Sequence, residues 1–140
     1  MTDGKDSSKK RVLIVDDEED LCVLAAYALT ANRSDLEVIS AKDGLSGLEQ
    51  ARTEQPAAIV LDINMPKMDG YEVCRRLKAD AATRDIPVVM LTASGDPHLN
   101  QKAFDAGAVA CLTKPYRQAA LINCVDMALA AGERARARPH

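Results

Sequence analysis

Short apolar runs alternate with longer amphipathic stretches five times along the chain, beginning at Arg11. The runs are Val12-Leu13-Ile14-Val15, Leu36-Glu37-Val38-Ile39, Ala58-Ile59-Val60-Leu61, Ile86-Pro87-Val88-Val89-Met90-Leu91 and Val109-Ala110-Cys111-Leu112. All have the length of strands, and three are nearly continuous in apolar residues, the pattern of parallel strands covered on both faces. Between the runs the spacing becomes helical. Leu21, Leu24, Ala25 and Ala28 fall at i, i+3, i+4 and i+7, which predicts a helix with one apolar face over about residues 18–32. Asp43-Gly44 opens a second predicted helix carrying Leu45 and Leu48, and Asp69-Gly70 a third carrying Val73, Cys74 and Leu77. In both, the Asp suits the N-cap, where its side chain accepts from a free backbone N–H. Pro97 suits the first turn of a fourth helix that ends near Gly107, a left-handed C-terminal position, and a fifth starts near Arg117 with Leu121, Ile122, Val125 and Leu129 inward. Strand and helix alternating five times make a βαβ series, so the expected class is α/β, a doubly wound parallel sheet with helices on both faces.

Length and composition bound this picture. A chain of 140 residues, 47% apolar and 28% charged, can bury its own core without a disulfide or structural metal and is too apolar for intrinsic disorder. One domain is expected over residues 11–132, with residues 1–10 a flexible lead-in and the Arg-rich residues 133–140 a flexible tail. Net charge is −3; without residues 1–10 and 132–140 the body keeps 12 basic and 18 acidic residues, a net −6. That excess of acid argues against direct nucleic-acid binding. The four aromatics, Tyr27, Tyr71, Phe104 and Tyr116, are too few for a base-stacking platform. No apolar run reaches the ~18 residues of a membrane helix and the N-terminus lacks a signal core, so a cytoplasmic location without membrane insertion is expected. Cys22, Cys74, Cys111 and Cys124 form no Cys-x-x-Cys pair and lie in apolar stretches, which favours buried free thiols over a zinc or redox site.

The chemistry gathers where the strands end. In an open parallel α/β sheet, ligands bind outside the carboxyl ends of the strands. The first strand there ends in Asp16-Asp17, the third in Asp62, the fourth in Thr92 and the fifth in Lys114-Pro115. With the first and third strands adjacent, about 4.8 Å apart, the three carboxylates converge. Two carboxylates about 5 Å apart repel by about 3 kcal/mol at an effective dielectric near 20, so three uncompensated ones would protonate or splay. A hard divalent cation relieves that repulsion, and Mg²⁺ prefers a few carboxylate oxygens with waters and a phosphate. A carboxylate beside Mg²⁺, a Lys ammonium and a Thr hydroxyl is suited to attack phosphorus and form an aspartyl phosphate, raising its charge from −1 to about −2. The plainer reading makes residues 16–20 a cap for the first helix, where acidic side chains gain about 0.3–1 kcal/mol each. It accounts for Glu18, Glu19 and Asp20, but less well for Asp16 and Asp17, which end the strand. Likewise Asp62 could be a turn residue before Met65-Pro66, yet a carboxylate closing an apolar strand is costly without a partner.

The segments Val12-Leu13-Ile14-Val15-Asp16-Asp17-Glu18, Asp62-Ile63-Asn64-Met65-Pro66-Lys67-Met68-Asp69-Gly70, Ile86-Pro87-Val88-Val89-Met90-Leu91-Thr92-Ala93 and Leu112-Thr113-Lys114-Pro115 recur here in a family's order and spacing. Together they resemble the receiver domain of two-component response regulators over residues 11–132. The resemblance implies a flavodoxin-like (βα)5 fold of strand order 2-1-3-4-5. It implies that Asp62 is the phosphoacceptor, that Asp16 and Asp17 serve Mg²⁺ with Asp62 and the backbone carbonyl of Asn64, that Thr92 is the switch hydroxyl, and that Lys114 pairs with the phosphoryl group. A cis peptide at Lys114–Pro115, a segment Lys67-Met68 facing the site, and Asn64 and Ser94 as tuners of dephosphorylation are implied too. The partners implied are a histidine kinase or histidine phosphotransfer protein and a downstream protein target, for a monomer or weak dimer.

One position departs from the family. Receivers often carry an aromatic residue three positions before the Lys, where it swings inward on activation; here that residue is Cys111. A thiol cannot act as that large rotamer switch, which puts in question the usual coupling from Thr92 to the face of the fourth helix, fifth strand and fifth helix. Two other functions are open to such a chain: a receiver-fold interaction module independent of phosphorylation, and an aspartyl-phosphate phosphohydrolase. The known hydrolases of that kind need a second Asp two residues after the nucleophile, and this chain has Asn64, so a multiple-turnover enzyme is not expected. With only eight residues after 132, a stand-alone receiver resembling the single-domain chemotaxis regulators is expected rather than a fragment of a larger regulator.

Overall fold

A computed structural model describes residues 9–31, 33–93 and 96–137. Five strands and five helices alternate: β1 (Lys10–Val15), α1 (Glu19–Thr30), β2 (Leu36–Ala41), α2 (Gly44–Glu54), β3 (Ala58–Asp62), α3 (Gly70–Ala79), β4 (Val88–Thr92), α4 (Pro97–Asp105), β5 (Ala110–Thr113) and α5 (Gln118–Ala137). The strands form one parallel sheet in the order β2-β1-β3-β4-β5. Successive side chains of a strand point to opposite faces, so one apolar run feeds two cores. Leu13, Val15, Ile59 and Leu61 join Ala51, Val73, Leu77 and Ala103 under α2, α3 and α4. Val12, Ile14, Ala58 and Val60 join Cys22, Ala25, Leu121 and Val125 under α1 and α5. The three central strands are thereby buried on both sides, which is why their sequences read as unbroken apolar runs.

Helix starts follow the expected caps. The side chain of Asp43 accepts from Ser46 N at 2.8 Å, that of Asp69 from Glu72 N at 2.9 Å, and that of Asp96 from His98 N at 2.9 Å with Pro97 in the first turn. After α4 the chain turns at Gly107, whose φ of 112° is open to glycine and strained for other residues.

Several boundaries differ from expectation. β1 begins at Lys10, whose amide donates to Asp35 O at 2.8 Å, so the lead-in is at least one residue shorter than expected; residues 1–8 lie outside the described residues. α5 continues to Ala137, making residues 133–137 helix where a tail was expected; residues 138–140 lie outside the description. β4 begins at Val88, because Pro87 has no N–H to give the ladder. Leu24, expected on the apolar face of α1, is exposed (58%), as is Leu45 of α2 (63%). α1 instead buries Cys22, Ala25, Ala28 and Leu29, and α2 buries Gly44, Gly47 and Ala51. In α2 the small residues decide the phase: a Cβ at Gly47 would lie 2.9 Å from Val15 Cγ2, so the helix sits too close to β1 for a larger side chain. Among the described residues no helix is long and apolar enough to cross a membrane.

Candidate functional site

Every strand that ends in a polar residue ends at the same edge of the sheet. The Asp16 amide donates to Ala41 O at 3.1 Å, which prolongs the β1–β2 ladder and fixes Asp16 just past β1. Its carboxylate accepts the Glu18 amide on Oδ1 at 3.0 Å, and its carbonyl lies 3.6 Å from the Cys22 thiol. Asp16 is therefore turned inward and buried, whereas Asp17 is exposed. Burial, with the Asp16 carboxylate adding to it, pushes the Cys22 thiol up to about 11, so it stays protonated and inert.

Asp62 closes β3 and is 2% exposed. One oxygen, Oδ1, accepts the Asn64 amide at 3.1 Å, and the other faces Lys114. Behind it the chain is compressed: a Cβ at Gly70 would lie 2.6 Å from Asp62 O and 2.7 Å from Ile63 Cα, so only glycine admits α3 this close. Lys114 arrives from β5. Its amide donates to Thr92 O at 2.7 Å, its peptide bond to Pro115 is cis as the resemblance implied, and its Nζ donates to Asp16 Oδ2 at 3.1 Å. The same Nζ is 3.3 Å from Asp62 Oδ2 and 4.0 Å from Glu18 Oε1. Thr92, the last residue of β4, is buried beside this junction in sequence register with Thr113.

Opposing effects meet at the pair. Burial raises the Asp62 pKa above its ordinary value; the Asn64 amide and the Lys114 ammonium pull it down, Asp16 pushes it further up, and the net direction is upward. For Lys114, burial favours the neutral amine, but the Asp62 and Asp16 carboxylates outweigh it and keep the ammonium charged. One cation thus serves two buried anions, with Asp17 a third at the rim. Asp16, Asp17 and Asp62 each offer a carboxylate oxygen, and these oxygens lie within 4.8 Å of one another. An all-oxygen donor set with excess negative charge fits a hard divalent cation and no soft one.

Asp16, Asp17, Asp62 and Lys114 are thus brought together as expected. Asn64 is exposed and contributes its amide to Asp62. Lys67, exposed at φ 72°, shows no contact with the carboxylates, and Met68 packs toward Gly44 of α2. His98 is exposed, and Tyr116 is half-buried against the α1–α5 core. Ser94 lies outside the described residues. Reading the chain missed two contributors: Gly70, legible only as the partner of a capping Asp, and Glu18, whose amide orients the Asp16 carboxylate.

Residues 12–126 match the family described as the response regulator receiver domain. The chain is 41% identical over 107 residues to the alkaline phosphatase synthesis transcriptional regulatory protein PhoP of Bacillus subtilis, covering 76% of this chain and 43% of that protein. It spans less than half the length of the curated relatives it matches. Among solved structures, a response regulator from Chloroflexus aurantiacus superposes with a TM-score of 0.81 at 33% identity, covering 87% of this chain and 98% of that one. The chemotaxis protein CheY4 of Vibrio cholerae superposes with a TM-score of 0.79 at 28% identity, covering 86% and 98%. Fold, strand order and the match over most of its length agree: this chain belongs to the receiver domain family of two-component response regulators.

Proposed function

We propose that Asp62 accepts a phosphoryl group and that the chain acts as a phosphorylation-dependent switch. The observation that carries this is the buried Asp62 carboxylate held 3.3 Å from the Lys114 ammonium, with the oxygens of Asp16 and Asp17 within 4.8 Å of its own. Asp62 Oδ2, the oxygen not engaged by the Asn64 amide, attacks phosphorus; an O–P bond forms as the bond to the donor nitrogen of a phosphohistidine breaks. Lys114 then follows the negative charge from the carboxylate to the phosphoryl oxygens, and Thr92 is the hydroxyl at the same edge able to answer the added charge. Asp16, Asp17, Asp62 and the Asn64 carbonyl would hold Mg²⁺, which would supply charge neutralisation for the phosphoryl oxygens.

The donor is a histidine kinase or histidine phosphotransfer protein, the setting cytoplasmic, and the output a change in affinity for a downstream protein. Position 64 offers an amide where a general acid would be needed for rapid hydrolysis, so the chain turns over its own phosphoryl group and is not a multiple-turnover enzyme. Incubation with Mg²⁺ and acetyl phosphate, read by intact mass, tests the assignment. One phosphoryl adduct is expected, absent in Asp62→Ala and absent when Mg²⁺ is chelated before the donor is added. An adduct that persists in Asp62→Ala overturns the proposal, and a partner bound equally well by wild type and Asp62→Asn would favour a phosphorylation-independent module.

A further inference from the structure

The fully buried residue of helix α4, Ala103, lies in its C-terminal half. Ala103 and Ala106 are buried beneath its C-terminal half, and the Cys74 thiol donates to Ala106 O at 3.3 Å. Its first residues, Pro97 and His98, are exposed, and Leu99 and Asn100 only half-buried. Among the described residues, two side chains from other elements hydrogen-bond to this half. The Cys111 thiol of β5 donates to Asn100 Oδ1 at 3.3 Å, and the Tyr71 hydroxyl of α3 donates to Leu99 O at 3.3 Å. The ring of Tyr71 also carries Lys102 Nζ 4.4 Å from its centroid, a cation–π contact from the next turn of α4.

Tyr71 is 4% exposed and directly follows Gly70. Gly70 is the residue pressed against Asp62 O and Ile63 Cα, and its amide donates to Ile63 O at 3.0 Å. The backbone behind the carboxylate of Asp62 and the grip on the first half of α4 are therefore one residue apart on a rigid helix start. Close packing transmits displacement, since a contact with no slack leaves the neighbour nowhere to go but with it. Cys111 supplies a small side chain, with too little volume to move α4 by changing rotamer.

We infer that Tyr71 couples the state of Asp62 to the position of α4, through its hydroxyl on Leu99 and its ring under Lys102. The inference rests on Asp62 being the phosphoacceptor. A shift of the Asp62–Ile63 backbone moves Gly70, and Tyr71 carries the shift to α4. Removing the hydroxyl leaves α4 intact as a helix, because Leu99 O keeps its intrahelical partner four residues on.

The test uses the 140-residue wild type, Tyr71→Phe and Cys111→Ala with Mg²⁺ and acetyl phosphate. On one sample, intact mass reads the adduct and hydrogen exchange reads the peptide over residues 97–105. In wild type, phosphorylation is expected to change α4 exchange. In unphosphorylated Tyr71→Phe, α4 should exchange about fivefold faster, the weight of one net neutral hydrogen bond, and phosphorylation should add little. Cys111→Ala should keep the wild-type response. A normal adduct with the wild-type α4 response in Tyr71→Phe overturns this inference alone, as does loss of the response in Cys111→Ala with Tyr71→Phe unaffected. A wild-type protein without an adduct overturns the phosphoacceptor reading and this one with it.

Discussion

Asp62 pays for its position in repulsion. Burial and the neighbouring Asp16 carboxylate raise its pKa, and Lys114 is shared between the two. Removing the charge without the shape, as in Asp62→Asn, is expected to stabilise the metal-free protein by about 1 kcal/mol, roughly 3 °C in Tm for a chain of this size. The sign with pH follows from the raised folded-state pKa. The ionised carboxylate costs stability above that pKa; the cost shrinks as pH falls through it and is gone below the ordinary carboxylate value. Scanning calorimetry without divalent cations should thus show the largest gap between wild type and Asp62→Asn at neutral pH and a closing gap in acid; equal Tm values at neutral pH would contradict it. The polar residues of the site were legible because each stands at a strand end: Asp16, Asp17, Asp62, Thr92 and Lys114 all lie at the edge where a parallel sheet binds ligands. Gly70 and Tyr71 were not, because Gly70 matters through a 2.6 Å approach to Asp62 O and Tyr71 through a helix distant in sequence.

Helix placement shows where local pattern suffices and where it fails. The caps at Asp43, Asp69 and Asp96 need only their own turn, since each side chain accepts from an amide two or three residues on. Asp43→Ala is accordingly expected to destabilise the fold by about 1 kcal/mol, measured as a lowered urea midpoint with unchanged slope. A change of slope would mean a wider rearrangement than loss of a cap. The inward faces of α1 and α2 need more than their own turn. α1 contains enough apolar residues for two competing stripes, and in both helices a leucine, Leu24 or Leu45, stays exposed while the small residues Ala25, Gly44 and Gly47 face the sheet, where they allow closer packing. Volume, and not hydrophobicity alone, set the rotation of these helices.

At the scale of the whole molecule, the site exists only when β1, β3, β4 and β5 are assembled, so binding there reports global folding. Mg²⁺ at 100 times its Kd should raise the unfolding free energy by about 2.7 kcal/mol. Thermal melts with and without Mg²⁺ check this, and the gain should largely vanish in Asp16→Asn; an equal gain in that variant would place the cation elsewhere. The chain by itself determined the class and the edge. Five apolar runs separated by helical spacing require a parallel sheet, and the polar residues that end those runs must then share one rim. Only the tertiary structure decided that Asp16 turns inward while Asp17 stays outside, that a single ammonium spans two carboxylates, and that α3 reaches from Asp62 to α4 through Tyr71. Strand and helix periods act over a few neighbouring residues and can be read along the chain. Distances between side chains 98 positions apart, as for Lys114 and Asp16, depend on strand order and close packing, which no local pattern contains.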